Sequence, residues 1–178
     1  MYSCRVSRLR RPYLSDRFFF ITVRLIERRR KLEDADFERL ALSIRRARAK
    51  HPFFLTAWVF LSNHWHAILA PQYPLTIAAV LKSIKNSSTI LVNDVRGSSG
   101  QVWQERYFDH ALRTVKEYHE KMEYIHLNPV KAGLAGQPQG WRWSSVHEYS
   151  GMTPAEQMGR CGLTIDRVSL PCDPKTRI

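Results

Sequence analysis

Two apolar runs, Phe53 to Leu61 and His64 to Leu69, are separated in this chain by nothing more than Ser62-Asn63. Such a break leaves room only for a tight reversal, so the runs predict an antiparallel hairpin whose second strand starts on a histidine. Side chains alternate faces along a strand. His64 and His66 therefore point one way, and Trp65 points the other way into the opposite face. Two neutral imidazoles side by side can grip a metal ion and leave positions for a third ligand, water or a phosphate oxygen. The same spacing also describes a plain surface pair at a strand end, and taken alone it does not choose between the two.

The rest of the chain supplies partners for the hairpin. Arg17 to Ile26 is rich in aromatic and β-branched residues and predicts a buried strand. After the charged turn Glu27 to Lys31, the segment Asp34 to Lys50 carries Phe37, Leu40, Ala41 and Ile44 at helical spacing. A second helical pattern from Pro74 to Val95 runs through Ile77, Val80, Leu81, Ile84, Ile90 and Leu91 and breaks at Gly97-Ser98-Ser99-Gly100. Val102 to Asp109 suits a fourth strand or an extended lead into a helix from Thr114 to about Leu127, which Asn128-Pro129 is expected to end. After Gly133 the pattern is irregular, with Trp141 and Trp143 packing back on the domain. Strand, helix, strand, strand, helix, strand, helix implies an α+β domain with a largely antiparallel sheet covered by helices. The expected organisation is a basic arm over 1–16, one catalytic domain over 17–150 and a tail over 151–178.

Charge narrows the partners. Lys and Arg total 28 against 16 Asp and Glu, a net +12, and the first 50 residues hold 15 basic and 6 acidic side chains, +9 of that total. A field of this size attracts polyanions, with nucleic acid ahead of anionic membrane. Arg5, Arg8, Arg10 and Arg11 in the arm, and Arg45, Arg46 and Arg48 on the first helix, are the candidate nucleic-acid contacts. Cys4, Cys161 and Cys172 are odd in number and in no CxxC pair, which fits a reducing cytoplasm. No apolar run approaches the roughly 20 residues that span a bilayer, so no membrane partner is expected.

A metal held near a phosphate becomes an enzyme once a nucleophile is supplied. On the last helix Glu120, Tyr124 and Asn128 are spaced four apart and share a face, presenting a phenol and a carboxamide together. A free phenol titrates near about 10, so it needs a cation, metal or base beside it to attack phosphorus at neutral pH. The competing reading makes Tyr124 a core residue and Asn128 a helix-ending cap. Tyr118 lies about 240° around the axis from Tyr124 and cannot share its face. Tyr107 is expected to be packed or to touch DNA, and His119 and His126 to be surface or DNA-backbone groups.

Asn63-His64-Trp65-His66, the later Trp103-Gln104 with Tyr107-Phe108-Asp109, and the run from Tyr124-Ile125-His126-Leu127-Asn128-Pro129 to Leu134 together resemble the single-tyrosine transposases of the HUH endonuclease class, and within it the REP-associated tyrosine transposases of bacteria. The resemblance covers about residues 15 to 150. It implies a ferredoxin-like α+β core in which His64, His66 and a carboxamide, here Asn128, hold Mg²⁺ or Mn²⁺. It further implies that Tyr124 cleaves single-stranded DNA to leave a 5′-phosphotyrosine and a free 3′-hydroxyl. Many related insertion-sequence enzymes carry Gln where this chain has the shorter Asn128. The implied partner is a folded DNA hairpin with a short flanking tetranucleotide, read in part by the amino-terminal arm. A monomer is favoured by the resemblance, a dimer being the alternative. Two other readings stay open on the residues themselves: a non-catalytic nucleic-acid binding module with a structural His pair, and a metal hydrolase in which water attacks a small phosphate ester. The charge of +12 argues against the latter.

Overall fold

The computed structural model describes residues 17–178, so the arm with Arg5, Arg8, Arg10 and Arg11 lies outside the described residues. Its elements are β1 (Phe19–Arg24), α1 (Asp34–Lys50), β2 (Phe53–Leu61), β3 (His64–Pro71), α2 (Ile77–Arg96), β4 (Phe108–Ala111), α3 (Val115–Lys131), a 3₁₀ turn (Pro138–Gly140), α4 (Val146–Tyr149) and α5 (Pro154–Cys161). The four strands form one antiparallel sheet in the order β2-β3-β1-β4. With one helix after β1 and one after β3, this is the ferredoxin-like α+β arrangement expected from the sequence.

Alternation along the strands divides the apolar residues between the two faces of the sheet. Ile21, Val23, Trp58, Phe60, Trp65 and Leu69 meet Phe37, Leu40 and Ile44 of α1 and Val80, Leu81 and Ile84 of α2. On the other face Phe20, Val59, Leu61 and Ile68 meet Tyr118 and Ile125 of α3. A register shift between Leu55 and Ala57 changes the parity of β2, so that Phe53 and Leu55 before it and Trp58 and Phe60 after it join the same core.

One open choice is settled, and the expectations for the end of the last helix and for the chain after it needed revision. Val102 to Tyr107 is held off the β1 edge except for a single bridge between Leu25 and Trp103, because Lys85 Nζ donates to the carbonyls of Gln104 (2.7 Å) and Glu105 (2.8 Å) and the Trp103 indole donates to Ser88 Oγ (2.7 Å). The segment is thus the extended lead, and β4 itself begins at Phe108. Helix α3 does not stop at Asn128 but runs to Lys131 with Pro129 inside it. Proline removes its own N–H and crowds the carbonyl four residues back, but its fixed φ is helical and it stands in the last turn, which closes through Ala132 N to Asn128 O (2.9 Å). The region after Gly133 is also more ordered than its sequence suggests. Phe60 N donates to Trp143 O (3.0 Å), Ser145 N to Trp58 O (2.9 Å) and Trp58 N to Ser145 Oγ (2.9 Å), so this segment covers the outer edge of β2. As expected, Trp141 and Trp143 pack back, their indoles donating to Phe60 O (2.8 Å) and Asp34 Oδ1 (2.9 Å). The stretch assigned to a tail contains α5 and then runs from β2, where Asp166 N donates to Leu55 O (2.7 Å), to the start of α3, where Val115 N donates to Thr176 O (3.1 Å).

The two helices of the first layer are tied end to end by a buried ion pair. Arg96, at the end of α2, grips Asp36, at the start of α1, through Nε to Oδ1 (2.9 Å) and Nη2 to Oδ2 (2.5 Å), and also donates to the carbonyls of Arg30 (3.0 Å) and Lys31 (2.9 Å). Asp36 is 2% exposed and Arg96 7%. Removing one partner strands a buried charge, so Arg96→Met is expected to cost about 3–5 kcal/mol in urea unfolding, and Asp36→Leu added to it to recover most of that loss.

His126 of α3 is buried, with Nε2 3.0 Å from Ser145 Oγ. It is a core group joining α3 to the β2 edge cover, not the surface or DNA-backbone group its position suggested. Burial, with His147 nearby, holds its pKa down at about 4, against 6.5 in the unfolded chain. The stability it contributes is present above pH 6.5 and lost as pH falls toward 4. In denaturant titrations across that window, His126→Gln is expected to flatten the acid loss by on the order of 1–3 kcal/mol.

Candidate active site

Strand β3 carries His64 and His66 on the α3 side of the sheet, while Trp65 is fully buried beneath α1 and α2. The imidazoles are edge to face, ring centroids 4.7 Å apart. Each ring is held at its Nδ1. Thr22, directly across on β1, places Oγ1 2.8 Å from His66 Nδ1, and Asn63 in the hairpin turn places Oδ1 2.6 Å from His64 Nδ1. Nε2 of His66 is buried and has no hydrogen-bond partner among the described residues.

Burial, with Arg24 nearby, lowers the His64 pKa to about 4; burial, together with His64, lowers that of His66 to about 3. Both rings are therefore neutral at pH 7, the form in which imidazole ligates metals. A buried nitrogen lone pair with no protein partner, on a ring whose other nitrogen is fixed, fits a metal ligand.

Helix α3 brings Tyr124 to the same place. Its ring centroid is 5.4 Å from that of His66 and 5.7 Å from that of Phe20, which itself stacks on His66 at 5.3 Å. Lys131 and Lys121 lie over the Tyr124 ring, 5.0 and 5.8 Å from its centroid. Two ammonium groups thus flank a phenol that is 37% exposed. Asn128, one turn further along α3, is buried. Among the described residues no group of three or more His, Cys, Asp and Glu side chains could hold a metal. Tyr118, on the other side of α3, is buried against Phe18 (centroids 5.2 Å), and His119 is exposed.

The basic cluster of α1 is separated from this site by the sheet. Arg45 and Arg46 are exposed there, but Arg48 is engaged with Asp166 (2.5 Å) and Thr164 O (3.2 Å). Sequence reasoning missed Thr22, Asn63 as the partner of His64, the lysine pair, and Phe108, which sits across from Thr22 on β4 and is 56% exposed. Lys121 and Lys131 were accessible in principle, being three residues before and seven after Tyr124 on one helix. Thr22 and Phe108 depend on strand register, which a single sequence does not fix.

Comparison with known proteins agrees with this geometry. Residues 18–128 match the family model described as "Transposase IS200 like". The chain is 32% identical over 143 residues to the REP-associated tyrosine transposase of Escherichia coli strain K12, covering 80% of this chain and 84% of that one. Its fold superposes on the solved structure of a REP-associated tyrosine transposase bound to a REP hairpin with a TM-score of 0.71 and 28% identity, over 97% of this chain and 98% of the other. The chain therefore belongs to the IS200-like transposases, and within them to the REP-associated tyrosine transposases.

Proposed function

We propose that this transposase cuts and rejoins single-stranded DNA beside a REP-like hairpin, with Tyr124 as nucleophile and His64, His66 and Asn128 as ligands of Mg²⁺ or Mn²⁺. The observation that carries the proposal is the unpartnered, buried Nε2 of His66 on a ring 5.4 Å from that of Tyr124. The hairpin-bound relative supports the choice of substrate. Because His66 and Tyr124 meet within one chain, a monomer holds the whole site in cis.

The ring nitrogens divide their work. With Nδ1–H of His66 donating to Thr22 Oγ1 and Nδ1–H of His64 to Asn63 Oδ1, the tautomer this reading requires, both Nε2 atoms would keep a lone pair for the ion. When bound, the divalent ion polarises the scissile phosphate and offsets charge building on its oxygens. The phenol oxygen of Tyr124 attacks phosphorus, its proton passing to solvent, and the bond from phosphorus to O3′ breaks. The departing O3′ takes up a proton and becomes a free hydroxyl, and the 5′ end is left as a phosphotyrosine. Lys121 and Lys131, whose ammonium groups lie over the Tyr124 ring, hold positive charge near the phenol and would offset the charge of the incoming phosphate. Attack by a second strand's 3′-hydroxyl on the phosphotyrosine restores the phosphodiester and releases the phenol, so no nucleotide cofactor is required.

Incubation of the full chain with a labelled single-stranded hairpin oligonucleotide and Mn²⁺ should give a covalent adduct on a denaturing gel. Tyr124→Phe should abolish the adduct while leaving hairpin binding within about twofold of wild type. An adduct that persists in this variant removes Tyr124 as nucleophile; cleavage without an adduct makes water the attacker.

Thr22→Val keeps the shape of its side chain and loses the partner of His66 Nδ1. Calorimetric titration with Mn²⁺ should show affinity weakened about 10–100-fold, with the fold retained and the thermal midpoint lowered in keeping with the about 1–3 kcal/mol that an unpartnered buried nitrogen costs. Unaltered affinity would mean that Thr22 does not orient the ligand.

A further inference from the structure

Away from the His and Tyr residues, Arg17, Arg113 and Arg177 line one polar cleft of about 330 Å³, together with Ile178. They come from three parts of the chain. Arg17 leads into β1, Arg113 joins β4 to α3, and Arg177 bridges Thr114 at the start of α3. The junction is rigid: Leu112 N donates to Phe18 O (2.8 Å), Ile178 N to Arg113 O (3.1 Å), and the Thr114 hydroxyl accepts from Glu117 N (3.2 Å). None of the three guanidinium groups is paired with a carboxylate among the described residues. Glu117, in the first turn of α3, is directed to the backbone N–H of Arg113 (2.8 Å) and to His110 (3.9 Å). Three guanidinium groups without a carboxylate partner around one polar cleft repel one another, and an anion relieves that repulsion.

The surface between this cleft and the active site indicates which anion. Strand β4 pairs Phe108 with Thr22 and His110 with Phe20, so both lie on the face of the sheet that carries His66 and Tyr124. Phe108, 56% exposed, has its ring 6.1 Å from that of Phe20. From the active site the face thus presents an exposed aromatic ring, then a histidine, then the arginines. Val115 and Tyr124 are nine residues apart on α3, about 14 Å at about 1.5 Å per residue. A free phosphate ion at the cleft would use none of this. A strand whose bases stack and whose phosphates pair with cations uses all of it.

We infer that the Arg17–Arg113–Arg177 cleft binds a backbone phosphate of the single strand a few nucleotides from the scissile bond, with Phe108 stacking a base between them. This deepens the proposed function and rests on it. The cleft fixes how far the strand must extend from the cutting point to be held at both ends.

The test uses the full chain and fluorescence anisotropy with labelled oligothymidylates of increasing length at several salt concentrations. Wild type should gain affinity in a step once the strand is long enough to reach the cleft. Arg113→Gln with Arg177→Gln should lose that step, bind the longer strands about three- to tenfold more weakly, and lower the slope of log K against log salt by about 0.7 for each phosphate no longer neutralised. Arg113→Lys with Arg177→Lys should retain the slope, which a purely structural role of the arginines would not predict. Arg28→Gln, at an exposed position away from the cleft, serves as the charge control. A Gln pair that melts like wild type yet keeps both step and slope overturns the inference, as does an equal loss on short and long strands. If wild type binds no single strand at low salt, the DNA reading itself fails, a result separable from loss in the variant alone.

Discussion

A one-residue slip of β3 against β1 would carry Trp65 to the α3 side of the sheet and drive both imidazoles under α1 and α2. The register Thr22 to His66 therefore determines much else in this molecule. It gives Trp65 its place in the larger core, sets a hydroxyl beside His66 Nδ1, and brings the His66 ring against that of Tyr124. Trp65 protects the register as effectively as any hydrogen bond. Exposing its large apolar surface while burying two imidazoles without partners would cost several kcal/mol, on the order of a sizeable share of the stability of a domain this size. The alternation that builds the core is thus the same constraint that orients the site.

The edges of the sheet are finished differently, and the difference is functional. Outside β2, Trp143 to Ser145 occupy the free backbone groups, and His126 fastens α3 to Ser145 (3.0 Å). That closure holds the helix carrying Tyr124 against the sheet from the side remote from β4. On the other flank β4 is only four residues long, with Phe108 exposed. A short edge strand limits unwanted strand pairing and leaves the approach to His66 unobstructed by further sheet.

Much of this was legible in the sequence where the signal was local. The hairpin at Ser62-Asn63, the opposite orientation of Trp65 and its flanking histidines, and the shared face of Tyr124 and Asn128 follow from strand and helix periods. Where residues meet across long sequence separations, the sequence was silent. Thr22 and His66 are 44 positions apart, and nothing near Thr22 marks it as the hydrogen-bond partner of that ring. His126 was correctly set off the Tyr124 face, but its burial depends on Ser145, 19 residues later. The arginine cleft escaped for the same reason: Arg17, Arg113 and Arg177 each stand outside the conspicuous basic runs. The Pro129 error was different in kind, since the rule about the residue before proline is a steric preference that buried packing of Asn128 and Pro129 overrides.

The electrostatics of the site carry a consequence for how it loads. The proposed ligands His64, His66 and Asn128 are all uncharged at pH 7, because burial keeps both imidazoles deprotonated. Arg24 stands beside His64, and Lys121 and Lys131 beside Tyr124. On these ligands a divalent ion entering alone would meet uncharged lone pairs, with Arg24, Lys121 and Lys131 adding positive charge nearby. The phosphodiester supplies the negative charge that these ligands lack. With the proposed ligands, ion and strand would each favour the other's binding, and by linkage each would stabilise the folded site more when both are present. The surrounding cations, which weaken the site for metal, strengthen it for the substrate that completes it.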